Sequence, residues 1–137
     1  MSGVKSMRAP ELAAMIRDRS LTPGKDYVVV DVRDDDYIGG HIPGAVNLPS
    51  HTLGDPNVIE AKAREFASVP KLIFHCALSQ QRGPKAAMRF ASIMGPDRTS
   101  EIYVLIGGFS QWQQQYRNEP DLLEGYDAKV WSDEWWN

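Results

Sequence analysis

The run YVVVDV, from Tyr27 to Val32, constrains the fold more than any other stretch of the chain. It is apolar and β-branched, without the alternation of a strand that keeps one wet face. Such a strand is buried on both sides, as in parallel sheets whose connecting helices cover both faces. Other segments supply those helices. PELAAMIRDR (Pro10 to Arg19) carries proline in its first turn and gathers Leu12, Met15 and Ile16 on one face. Further helices are expected over Pro56–Val69, over Gly83–Gly95 between Pro84 and a closing glycine, and over Phe109–Tyr116. Short strands are expected at Ala45–Asn47, Lys71–Phe74 and Glu101–Gly108. Strands alternating with helices predict an α/β domain built on a central, mainly parallel sheet.

A chain of 137 residues suits one such domain, with its core over about 6–116 and a tail over 117–137. The tail, DLLEGYDAKVWSDEWWN, holds three of the four tryptophans, Trp131, Trp135 and Trp136, among acidic residues. Either these rings cover apolar surface of the domain or they dock a protein partner. A net charge of −3 and a pI of about 5.6 give no basic footprint for nucleic acid. The chain has no apolar run of bilayer length and no apolar core in its N-terminal MSGVKSMRAPEL, so an intracellular location, cytoplasmic or nuclear, is expected and no membrane. One cysteine precludes an internal disulfide, and with three scattered histidines it offers no metal-ligand spacing. No metal is expected.

That cysteine is Cys76, in FHCALSQQRGP. It ends a predicted strand, where parallel α/β sheets bind their ligands. The loop Ala77, Leu78, Ser79, Gln80, Gln81 has the length to turn its N–H groups inward as an anion cradle. The helix beginning near Gly83 aims its positive end at the same point. Arg82 adds a planar fork for two oxygens of a tetrahedral oxyanion. The same features favour the thiolate of Cys76, the nucleophilic form.

HCALSQQRGP resembles the H-C-x5-R active-site loop of the M-phase inducer phosphatases and of the related eukaryotic arsenate reductases. VVVDVRDDDYIGGHIPGAVNLP (Val28 to Pro49) and LIGGFSQW (Leu105 to Trp112) are similar to the opening and closing signatures of the rhodanese fold. The resemblance covers about Val28 to Trp112 and implies a rhodanese-like domain. It implies Cys76 as nucleophile, Arg82 as oxyanion clamp, and the amides of Ala77, Leu78, Ser79, Gln80 and Gln81 as oxyanion donors, with the Ser79 hydroxyl assisting. Rhodanese sulfurtransferases carry a loop one residue shorter, sized for sulfur; the loop Cys76 to Arg82 resembles the larger version that fits phosphate or arsenate.

The implied activity is that of a cysteine-dependent phosphatase of protein tyrosine or dual specificity, acting on a phosphorylated protein through a cysteinyl-phosphate. Arsenate reduction is the close alternative, followed by sulfur transfer and by phosphate binding without turnover. No cofactor is expected, except that an arsenate reductase with one cysteine needs an external thiol such as glutathione or glutaredoxin. The cell-cycle phosphatases carry a glutamate in the loop, whereas ALSQQ has no carboxylate, so a general acid must come from elsewhere.

The remaining polar candidates read more plainly. Alternation along a strand sets His75 opposite Cys76, as a buried hydrogen-bonding residue that shapes the loop. Asp31 either bonds loop amides or caps its strand. Asp34, Asp35 and Asp36 read as a solvated turn, although they follow a strand end near the site. His41 reads as a turn histidine and His51 as unremarkable. Gly107 and Gly108 permit a tight turn, with Phe109 and Trp112 packing at i, i+3 spacing.

Overall fold

The computed structural model describes residues 3–132, and the expected docking role of Trp135 and Trp136 falls outside them. The elements run β1 (Val4–Met7), α1 (Ala9–Arg17), β2 (Tyr27–Asp31), β3 (Val46–Asn47), a 3₁₀ turn (Ser50–Gly54), α2 (Pro56–Glu65), β4 (Lys71–His75), α3 (Arg82–Met94), β5 (Glu101–Leu105), α4 (Gly108–Tyr116) and a second 3₁₀ turn (Pro120–Leu122). The five strands form one sheet in the order β1-β5-β4-β2-β3, and every pairing is parallel. This is the α/β architecture on a parallel sheet that the sequence predicts.

All five residues of β2 are buried, as its sequence requires. Alternation sends Val28 and Val30 to one face, where they meet α2 and α3 through Ile59, Ala63, Ala87 and Phe90. Tyr27 and Val29 go to the other face, against α1 and α4 through Leu12, Phe109 and Trp112. The sheet is thereby sandwiched, and the carboxyl ends of β2 and β4 lie side by side, with Asp31 in register with His75.

One strand and two element ends depart most from expectation. β1 is an additional strand whose sequence, VKSM, gives no apolar signal because it is a short edge strand with Lys5 and Ser6 exposed. β5 stops at Leu105, not Gly108: Gly107 and Gly108 adopt φ of +80° and +58°, turning the chain straight into α4. α2 ends at Glu65 instead of Val69: residues 66–68 form a turn, and Val69, which precedes Pro70, is itself biased out of the helical region.

The tail folds back onto the domain. Leu122 and Leu123 are buried among α1 and α4, and Glu124 exchanges two backbone hydrogen bonds with His41. The Trp131 indole packs against Phe109 at 5.5 Å between ring centroids and donates to the Gly39 carbonyl at 2.9 Å. Of the two readings of the tail, Trp131 follows the covering one.

Candidate active site

Cys76 follows the last residue of β4 and lies in the floor of a cavity of about 260 Å³ bounded by Ala77, Leu78, Gln80, Gln81 and Arg82. Nearly all of its surface is covered, yet what remains opens into this cavity. Two amides converge on the sulfur: Ser79 N–H donates to Sγ at 3.2 Å and Gly83 N–H, in the first turn of α3, at 3.4 Å.

The loop is shaped from behind. The Cys76 carbonyl accepts from Phe109 N–H at 3.0 Å and the Ala77 carbonyl from Ser110 N–H at 2.9 Å, so the first amides of α4 are spent on the loop. A trans peptide points its N–H opposite its C=O, and pinning these two carbonyls turns the N–H groups of Ala77 and Leu78 away from α4. This requires close approach at Gly108, where a Cβ would stand 2.5 Å from the Cys76 oxygen and 2.6 Å from that of Ala77. Ser79 adopts a left-handed φ of 56°, rare for a residue with a Cβ. Its hydroxyl turns back to accept Cys76 N–H at 3.4 Å, so its contacts are with the loop backbone.

Arg82 is the first residue of α3. Its guanidinium meets Asp36 in a fork, Nη1 to Oδ1 at 2.8 Å and Nη2 to Oδ2 at 2.6 Å, and Nη1 also reaches Asp34 Oδ2 at 3.1 Å. Asp34 accepts in addition from the Ser50 hydroxyl and the His51 amide, and its Oδ1 lies 2.7 Å from His51 Nδ1. The expectation of a solvated acidic turn therefore holds for Asp35 alone, and His51 is part of the network. The hydrogen bonds from Arg82 hold the Asp36 carboxyl below the usual range against a smaller opposing effect of burial. For Asp34, burial acts upward, but Ser50, His51 and Arg82 together outweigh it and the carboxyl is lowered. Asp36 in turn holds the Arg82 guanidinium more firmly protonated.

Beneath the loop lies a second network. Asp31 does not serve the loop amides. Its carboxylate takes Arg33 Nε at 3.0 and 3.1 Å and Nη2 at 2.7 Å, with both side chains fully buried. Arg33 satisfies further donors on the Gly40 and Ile38 carbonyls and lies over the Phe109 ring at 4.4 Å. A buried ion pair is tolerable only when its remaining polar atoms find such partners. The signal for this pair is present in the sequence, because residues i and i+2 of an extended segment share a face. His75 is fully buried as expected, with Nδ1 3.1 Å from the Cys76 carbonyl. Burial lowers its pKa, keeping the ring neutral, so Nδ1 carries the proton and donates. His41 makes local contacts to the Ile42 carbonyl and the Tyr37 ring, as a turn histidine does. Among the described residues, no group of three or more His, Cys, Asp or Glu is placed to hold a metal ion, and no helix is long and apolar enough to cross a membrane.

A parallel sheet whose central strand delivers a cysteine into a loop of inward amides, closed by the helix that begins with Arg82, defines a class. The chain belongs to the rhodanese-like domain family, which it matches over residues 9–115. Within that family it is similar to the CDC25-like phosphatase YCH1 of Saccharomyces cerevisiae, at 33% identity over 96% of both chains. It is also similar to arsenate reductase 2.2 of Oryza sativa subsp. japonica, at 35% identity over 81% of this chain and 83% of the relative. Among solved structures, a yeast protein tyrosine phosphatase of the rhodanese family superposes with a TM-score of 0.80 at 30% identity, covering 96% of this chain and 99% of the other.

Proposed function

We propose that this chain is a cysteine-dependent phosphatase of the protein tyrosine or dual-specificity type. The observation that carries the reading is the convergence of the Ser79 and Gly83 amides on Cys76 Sγ, with the Arg82 guanidinium at the rim of the same cavity. Amides aimed at the sulfur are already in place to face the charge that moves onto phosphoryl oxygens during attack. In the proposed reaction the thiolate forms an S–P bond in line as the P–O bond to the leaving group breaks, and water then hydrolyses the cysteinyl-phosphate to release inorganic phosphate. Arg82 meets the equatorial oxygens by exchanging carboxylate partners for them. Asp34 and Asp36, whose pKa values are lowered, are poor proton donors, so the chemistry favours leaving groups that depart as weak bases. Aryl phosphates fit that requirement better than alkyl phosphates.

The test is hydrolysis of a small aryl phosphate. Cys76→Ser should remove activity, and Arg82→Lys should lower kcat/KM by about 100-fold, the scale for loss of one oriented oxyanion donor. Equal turnover by wild type and Cys76→Ser would refute the reading.

Arsenate reduction is a second reading, favoured by the similarity to arsenate reductase 2.2 and by a loop without an acid for an organic leaving group. Cys76 would displace a hydroxyl of arsenate to give a thio-arsenate adduct. With a single cysteine in the chain, both reducing electrons must come from external thiols, leaving arsenite and a disulfide outside the protein. Arsenate-dependent oxidation of glutathione in the presence of glutaredoxin tests it.

A further inference from the structure

Arg82 lines a second cavity besides the one at Cys76. Between α3 and the 3₁₀ turn at Ser50–Gly54 lies a space of about 130 Å³ lined by Ser50, Leu53, Arg82, Lys85, Ala86 and Arg89. Arg82 is the one lining residue that the two cavities share. The space equals roughly four waters at about 30 Å³ each. That is room for a tetrahedral oxyanion and too little for the body of an organic ligand.

The lining is unusual for this chain. Three of the six residues are cations and none is a carboxylate, although the chain carries a net charge of −3. Arg82, Lys85 and Arg89 stand at i, i+3 and i+7 of α3, which places them on one stripe of the helix. Like charges at such spacings repel, and an anion among them relieves the repulsion. Among the described residues, only Arg82 of the three is paired with carboxylates, Asp34 and Asp36, and neither of those lines the cavity.

The cations differ in how they are held. Arg89 is partly buried, and its Nη1 donates to the Leu53 carbonyl at 3.0 Å, which fixes the guanidinium against the 3₁₀ turn. That bond leaves its Nε and Nη2 donors for a guest. Lys85 is exposed, and its ammonium bonds to no described residue. One anchored fork and one mobile point charge thus face the same small space. Ser50 closes the wall, its hydroxyl already donating to Asp34.

We propose that this cavity binds a second tetrahedral oxyanion, gripped by Lys85 and Arg89 beside Arg82 and separate from the anion that meets Cys76. The ligand class is a phosphate-sized dianion, either inorganic phosphate or the phosphoryl head of a small ester whose body stays outside. The assignment holds whichever oxyanion the cysteine attacks, so it stands apart from the phosphatase reading. A guest here gives the Arg82 guanidinium a neighbour of opposite charge outside the reaction cavity.

Amide NMR of the full chain, titrated with inorganic phosphate at fixed pH and ionic strength, tests it. Two dissociation constants are expected, one read from Ala77, Leu78 and Ser79 and the other from Leu53, Lys85 and Arg89. Lys85→Gln, at an exposed position, should weaken the second about fivefold and leave the first unchanged, and Lys85→Arg should restore it. Glycerol phosphate separates the sources: shifts of the same three amides with a similar constant assign the site to phosphate esters, and their absence assigns it to the free ion. Leu53, Lys85 and Arg89 amides that stay unmoved while the loop saturates would overturn the proposal. So would shifts that chloride reproduces at equal ionic strength, the response of a solvated basic face. A Lys85→Gln protein that titrates like wild type, or that weakens both sites equally, would overturn it too.

Discussion

Arg82 and Asp36 face each other as a two-pronged pair, with nitrogen–oxygen distances of 2.8 and 2.6 Å. The fork offered to an oxyanion is the same fork that the carboxylate holds. An incoming phosphate must therefore compete with Asp36 for the guanidinium and tolerate the negative charges of Asp34 and Asp36 nearby.

It follows that Asp36→Asn should bind inorganic phosphate more tightly. Removing a competitor at a partly exposed pair is worth about 1 kcal/mol, or about fivefold in the inhibition constant. Competitive inhibition by phosphate, measured at fixed ionic strength, checks the direction. An unchanged or weaker constant would mean that Asp36 orients Arg82 for the anion instead of competing with it.

Gly108→Ala should damage the site from behind without touching its polar groups. The added carbon collides with the carbonyls of Cys76 and Ala77 in a backbone conformation that side chains disfavour. The expected cost is about 2 kcal/mol or more, read by denaturant unfolding, together with a slower alkylation of Cys76 by iodoacetamide.

His75 gives the acid limb of stability a defined sign. Its pKa in the folded protein lies below the ordinary 6.5 because burial disfavours the imidazolium. The unfolded chain therefore binds the extra proton first, and stability is complete above about pH 6.5 and declines as pH falls below it. Asp34 and Asp36, lowered from 3.8, add a second loss that begins only as pH falls through about 4. His75→Gln should flatten the upper part of this profile and leave the lower part in place, as unfolding free energies measured from pH 7 down to about pH 2 would reveal.

Trp131→Ala should destabilise the fold by about 1–2 kcal/mol, the scale of a half-buried aromatic and one hydrogen bond. The loss is expected because the indole spans Phe109 and the Gly39 carbonyl. Thermal unfolding of the full chain checks it.

The elements most legible in the sequence are those dictated by local chemistry. The burial of β2 is written in YVVVD, and the placement of Cys76 follows from the apolar KLIF before it and the Gly-Pro helix entry after it. What is not legible comes from distance or from silence. Asp36 and Arg82 are 46 residues apart, and no local pattern tells a carboxylate that a cation will arrive from the start of a distant helix. β1 is silent because an edge strand needs no apolar alternation. The Asp31–Arg33 pair is a different case: its i, i+2 spacing after a buried strand carries the signal, and it pre-empts the bond from Asp31 to the loop, which is one of the two readings of that residue.

The carbonyls tethered to the start of α4 fix one end of the Cys76–Arg82 segment, and the start of α3 fixes the other. A residue added or removed between those moorings is expected to leave both helices in place. The diameter of the ring around the sulfur is thus adjustable while its chassis stays constant, so one framework accommodates guests of different girth.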